Sequence, residues 1–163
     1  MSFRFNKSVD NLPKNLTHLT FGEKFNQLID NLPLSLTHLT FNNSEFNKTI
    51  DNLPENLTHL TFGSYFNQST DNLPKNLTHL TFGYWFNQSV NNLPQNLTHL
   101  TFGCNFNQSV DNLPEKLTHL TFGSCFNKPV HNLPISIKEI TFYSKNNINI
   151  KNIPFGTIVK YIL

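Results

Sequence analysis

Apolar and polar residues alternate through Leu77-Thr78-His79-Leu80-Thr81-Phe82-Gly83, and the chain is built by restating that stretch. Near-copies begin at Leu16, Leu36, Leu57, Leu97 and Leu117, with looser ones at Ile137 and Ile158. Leu80 and Phe82 point one way and His79, Thr81 and Gly83 the other, the period of a half-buried strand, and Leu77 adds an apolar anchor. One such strand cannot fold alone. Eight of them stacked side by side make a sheet, which fixes the fold.

The return path between strands is short. Asn-Leu-Pro or Asn-Ile-Pro ends at Pro13, Pro33, Pro54, Pro74, Pro94, Pro114, Pro134 and Pro154, spaced by 20 residues with a single 21. A period of roughly 20 to 29 with Leu-x-x-Leu-x-Leu spacing marks the leucine-rich repeat, in which each coil gives one strand to a parallel sheet. Here Phe82 stands where the third leucine would be, and the return leaves no room for a helix of ordinary length. Each strand is followed by Phe-Gly-x-x-Phe-Asn, as in Phe62-Gly63 and Phe66-Asn67. Glycine there is expected to let the chain leave the strand through a φ that other residues resist, so that the second phenylalanine turns back inside. Two aromatic spines result, one running from Phe21 to Phe142 and the other from Phe25 to Phe126. The second repeat has Asn42 in place of glycine and one extra residue. The asparagine after the second phenylalanine, from Asn26 to Asn127, is placed to hydrogen-bond backbone groups that tight turns leave unpaired. One small or apolar residue per repeat (Ile29, Ile50, Thr70, Val90, Val110, Val130, Ile150) lines the descending side before proline closes the coil at an extended corner.

The expected fold class is therefore a β-rich solenoid. It is a leucine-rich-repeat-like curved array of about eight coils of 20 residues, with a parallel β-sheet on the concave face and irregular extended convex segments. No coil buries enough to stand alone, so residues 1–163 are read as a single cooperative solenoid domain.

The run Leu-Thr-x-Leu-x-Phe-Gly-x-x-Phe-Asn-Gln followed by Leu-Pro resembles the FNIP repeat, the FGxxFN type of leucine-rich repeat, from Phe5-Asn6 to the final strand. That family is typical of giant DNA viruses of protists and of social amoebae. The resemblance implies a solenoid used for protein binding and brings no catalytic residues with it. Members often carry an F-box ahead of the repeats, an arrangement that implies a substrate receptor for ubiquitination. The repeats of this chain start at once, so a link to a ubiquitin ligase is not expected.

Composition narrows the function classes. Only 13% of residues are charged, the formal net charge is +2 and Arg4 is the sole arginine, so no phosphate-tracking stripe exists and nucleic acid is not an expected partner. No run approaches the roughly 18 apolar residues of a membrane span and no leader pattern opens the chain, so a cytoplasmic protein is expected, in the host cytoplasm if the source is viral. Asn-x-Ser/Thr sequons such as Asn56 and Asn76 recur because the repeat recurs. Cys104 and Cys125 are read as free thiols in variable loop positions, with a bridge between neighbouring repeats as the alternative.

Between the inward leucines, His18, His38, His59, His79, His99 and His119 form a column on the concave face, beside a threonine column that includes Thr61, Thr81 and Thr101. Glu139 and then Lys160 are expected to continue the histidine column. A flat ladder offers a metal about two ligands where three or four must converge, so no metal or other cofactor is expected. Every candidate nucleophile or base is replicated along the array, whereas an active site breaks symmetry; no enzyme activity is expected. Symmetry does break in the loop pairs after the strands, from Glu23-Lys24 to Ser144-Lys145. From Asn76 to Val110 there is no Asp, Glu, Lys or Arg, and that window holds the only tryptophan. Interface cores are depleted of charge and enriched in Tyr and Trp, so Tyr65, Tyr84 and Trp85 form a candidate aromatic rim; the alternative is that Trp85 covers a neighbouring loop.

The function expected is a non-catalytic protein–protein interaction module for an unidentified protein. The competing expectation is a structural protein that associates with itself, for example as a homodimer, through uncapped terminal repeats. Ile158-Val-Lys-Tyr-Ile-Leu163 would expose core residues and a sheet edge there. In that reading Tyr161 and Leu163 point inward and Ile162 takes the threonine position.

Overall fold

The computed structural model describes residues 4–143 and 150–162. Ser144 and Lys145, the last of the variable loop pairs, and Leu163 lie outside the described residues. Eight strands follow one another: β1 (His18–Phe21), β2 (His38–Phe41), β3 (His59–Thr61), β4 (His79–Thr81), β5 (His99–Thr101), β6 (His119–Phe122), β7 (Glu139–Phe142) and β8 (Ile158–Tyr161). They form one sheet in sequence order, every pair parallel. Seven return segments join them, and no helix occurs among the described residues. The register sets like on like: His59 opposite His79, Leu60 opposite Leu80, Thr61 opposite Thr81.

Because each strand repeats one alternation, that register sorts the core into columns. Leu36, Leu57, Leu77, Leu97 and Leu117 are fully buried, as are Phe25, Phe46, Phe66, Phe86, Phe106 and Phe126. Within a coil the two phenylalanine rings lie face to face, 3.7 Å apart in Phe62–Phe66, Phe82–Phe86 and Phe102–Phe106. Between coils the spacing grows with depth behind the sheet. It is 4.1–4.4 Å for the histidine rings, 5.2–5.9 Å for the first phenylalanine column and 6.1–6.2 Å for the second. A stack closer on one side than the other bends toward the closer side, which makes the histidine face the concave one.

Polar columns hold the return path. The asparagines from Asn26 to Asn107 each accept from the backbone of the next coil, as in Asn87 N–H to Asn67 Oδ1 at 2.9 Å and Asn107 N–H to Asn87 Oδ1 at 2.9 Å. A second ladder, not anticipated from the sequence, runs from Asn72 Nδ2 to Asp51 Oδ1 (2.7 Å) and from Asn92 Nδ2 to Asp71 Oδ1 (2.8 Å). The proline carbonyls close tight turns: Leu77 N–H donates to Pro74 O at 3.2 Å and Leu117 N–H to Pro114 O at 3.0 Å.

Two expectations are corrected. The strand-exit glycines do not have positive φ; among the described residues only Gly156, Asn43 and Asn152 do. What excludes a side chain is close approach. A Cβ on Gly83 would sit 2.0 Å from Gly63 O, and one on Gly103 would sit 2.0 Å from Gly83 O. Where the glycine is absent the exit differs. The N–H of Asn42 donates to Phe21 O (2.9 Å) and that of Tyr143 to Phe122 O (3.0 Å), lengthening the ladder by one bond; after Asn42 the extra residue, Asn43, arches out at φ 50°.

The second correction concerns β8. Ile158 pairs with Glu139, Val159 with Ile140, Lys160 with Thr141 and Tyr161 with Phe142. Ile158, not Lys160, therefore continues the histidine column, and Ile162 lies beyond the threonine position, its N–H bonded to Phe142 O at 2.8 Å. The reason is a missing residue: Pro154 is followed by a turn through Gly156 (φ 84°) that reaches the strand one position early. Tyr161 does stack on Phe142, with centroids 5.5 Å apart.

Candidate functional site

Stacking like residues in register builds the sheet face. The rings of His18, His38, His59, His79, His99 and His119 form one continuous pile with interplanar angles of 5–12°. The threonine before each histidine, which sequence reasoning overlooked, sets the ring: Thr78 Oγ1 lies 2.9 Å from His79 Nδ1 and 3.1 Å from Thr58 O. The same pair of contacts recurs at Thr37, Thr58, Thr98 and Thr118. A charged imidazole donates from both nitrogens. The hydroxyl then accepts from Nδ1 and turns its proton to the carbonyl, and Nε2 is left for solvent or a partner. Parallel rings aim these Nε2 atoms side by side instead of at a common point, and no group of three or more metal-ligating side chains occurs among the described residues.

Partial burial, with neighbouring imidazoles as the second cause, holds the pKa of His38, His79 and His99 below the usual histidine value. These three imidazoles therefore resist protonation more than a free histidine does, and take up charge only in more acid solution. Thr61, Thr81 and Thr101 flank the column and are half-buried. At the C-terminal end Glu139 takes the histidine position and forms an ion pair with Lys160 at 2.7 Å, whose hydrogen bond keeps its carboxyl below the usual range.

The exit loops form a second short ladder along the rim: Trp85 N–H donates to Ser64 O (2.9 Å), Asn105 N–H to Tyr84 O (3.0 Å) and Cys125 N–H to Cys104 O (3.0 Å). Tyr84 and Trp85 meet edge to face at 4.8 Å, and Tyr65 occupies the rung before Trp85. All three are about half exposed, at 47% for Tyr84, 51% for Trp85 and 53% for Tyr65. Trp85 therefore does not belong to the core.

A solenoid of short parallel strands with stacked phenylalanines and an asparagine ladder defines a leucine-rich-repeat-type protein. More narrowly, the FNIP Repeat pattern matches residues 5–44, 46–84, 66–105, 86–125 and 106–145, and the chain belongs to that family. A solved structure described as "The crystal structure of CroV588 a novel circular LRR protein structure" is 45% identical with a TM-score of 0.86, covering 96% of this chain and 26% of that one. The chain thus spans about a quarter of the length of that giant-virus protein. No curated protein matches it. Repeat folds of this kind are typically non-catalytic scaffolds that commonly mediate protein interaction. No helix among the described residues is long and apolar enough to cross a membrane.

Proposed function

We propose that the chain is a non-catalytic protein-binding module acting in the cytoplasm, that of an infected host cell if the chain is viral. It engages its partner through the histidine and threonine columns of the sheet face and the Tyr65, Tyr84 and Trp85 rim. The observation that carries this reading is the Tyr84–Trp85 pair, half exposed in the middle of a window without charged side chains and beside a pre-stacked polar face. Exposed aromatics need a reason, and a rigid aromatic anchor next to hydrogen-bonding groups suits a protein partner. Alanine scanning against a captured partner tests it. Trp85→Ala should cost about 2 kcal/mol or more of affinity and Glu23→Ala little; unchanged affinity in Trp85→Ala would place the interface elsewhere.

A second reading, association with another copy of itself, is favoured by β8. Its outer edge pairs with no further strand among the described residues, and Ile158 (55%) and Tyr161 (51%) are exposed there. Light scattering distinguishes the two: a monomer supports the binding module, and a defined dimer or fibre that Ile158→Lys dissolves supports assembly.

A further inference from the structure

Two thiols meet where the fifth and sixth exit loops lie side by side. The N–H of Cys125 donates to Cys104 O at 3.0 Å, which makes the two backbones neighbours in the rim ladder, and their Sγ atoms are 3.5 Å apart. Adjacent rungs stand about 4.8 Å apart, and Cα separations of roughly 4.4–6.8 Å accept a disulfide. Both thiols are free, Cys125 exposed and Cys104 partly so.

The surroundings of the two sulfurs differ. Cys104 Sγ lies 2.8 Å from Ser124 Oγ. Cys125 Sγ lies 3.6 Å from Asn105 Oδ1, an acceptor, besides its neighbouring thiol. Hydroxyl donors stabilise a thiolate, and the thiolate is the nucleophile. The Cys104 thiol is accordingly held below its ordinary pKa, chiefly by Ser124, while the hydrogen bond to Cys104 together with burial pushes Cys125 up.

We propose that Cys104 and Cys125 form a reversible dithiol–disulfide site, oxidised by a low-molecular-weight disulfide of the glutathione type, with Cys104 as the attacking and Cys125 as the resolving thiol. The Cys104 thiolate attacks one sulfur of the oxidant, whose S–S bond breaks. One glutathione leaves as thiolate and takes up the proton that Cys104 released. Cys125 then loses its proton and attacks Cys104 Sγ; the new S–S bond forms, and the second glutathione leaves and is protonated. Two electrons and two hydrogens pass from the chain to the oxidant, and excess thiol reverses both steps. The bond staples the two loops on the rim that carries Tyr84 and Trp85.

The test is intact mass and alkylation of the full chain in mixtures of reduced and oxidised glutathione. Under oxidising mixtures the monomer is expected to lose two hydrogens and both alkylation sites. Cys125→Ser should stop at a glutathione adduct on Cys104, Cys104→Ser should react several-fold more slowly, and Ser124→Ala should slow the adduct in the Cys125→Ser background. Circular dichroism checks each variant, and the wild-type mass result stands alone if one fails to fold. Cysteines that stay alkylatable in excess oxidised glutathione, or disulfides formed only between chains, would overturn the site. Equal rates for the two single-cysteine variants would overturn the assignment of the attacking thiol.

Discussion

Gly103→Ala is the substitution whose outcome the stacking geometry specifies most sharply. The added Cβ would lie 2.0 Å from Gly83 O, 2.4 Å from Gly83 C and 2.9 Å from Tyr84 N, all backbone atoms. Even a close C···O contact needs about 3.3 Å, so the fourth and fifth coils must part locally by about 1 Å. Two hydrogen bonds across that junction are lost or stretched: Phe82 N–H to Thr101 O (2.8 Å) and Asn105 N–H to Tyr84 O (3.0 Å). At about 1 kcal/mol each, with about 0.5–1.5 kcal/mol for each disturbed phenylalanine stack, the expected loss is about 3 kcal/mol. Were the glycine needed only for chain flexibility, Ala at its ordinary φ would instead stabilise by about 0.4–1 kcal/mol. Chemical denaturation of the two proteins measures the difference. The structure also supplies a rescue: replacing Gly103-Cys104-Asn105 by the Asn-Asn-Ser-Glu of residues 42–45 installs the longer exit of the second coil, where Ser44 is buried and bonds Phe25 O at 2.7 Å. That graft should recover most of the loss. Wild-type stability in Gly103→Ala, or no recovery in the graft, would refute the reasoning.

Acid should unfold the chain more readily than neutral solution. The folded pKa values of His38, His79 and His99 lie below the ordinary value, so the unfolded state binds more protons and stability falls as pH drops below about 6.5. Adjacent charged rings 4.2 Å apart repel by about 1 kcal/mol even in bulk water. Melting between pH 8 and pH 5 should show the decline, added salt and replacement of His38, His79 and His99 by Asn should flatten it, and a level wild-type profile would contradict it. Asn67→Ala strips Asn87 N–H of its acceptor and should cost about 1–3 kcal/mol in denaturation, whereas a neutral result would deny the ladder its role. Trp85→Ala should lower stability by less than about 1 kcal/mol because the ring is half exposed; a collapse of the fold would return Trp85 to the core.

Strands, register and both phenylalanine spines were legible because alternation and a fixed period state them outright, and the asparagine ladder because its residue type has one obvious use at a turn. The strand-exit glycines were misjudged: flexibility and close approach both select glycine, and only the distance between coils separates them. Register failed in the final coil because a single missing residue between Pro154 and Ile158 shifts every later side chain to another column, which the apolar run Ile158-Val159 disguises. The Asp–Asn ladder was visible in principle, since Asp10-Asn11, Asp30-Asn31, Asp51-Asn52 and Asp71-Asn72 recur with the period. So was the threonine that orients each histidine, because Thr precedes every one of the six. The rim aromatics were legible as a break in symmetry, but the Tyr84–Trp85 contact and the pairing of Cys104 with Cys125 depend on side-chain directions in loops.

The central claim, that the sheet face and its aromatic rim are the binding surface, is tested most directly by site-specific photo-crosslinking. A photoreactive side chain is placed in turn at Thr81 on the sheet face, at Trp85 on the rim, and at Leu34 and Ile135, which are exposed on the return path (75% and 93%). Crosslinks to one defined protein from Thr81 and Trp85, with none from Leu34 or Ile135, are the predicted result. Crosslinks confined to Leu34 and Ile135 would contradict the account.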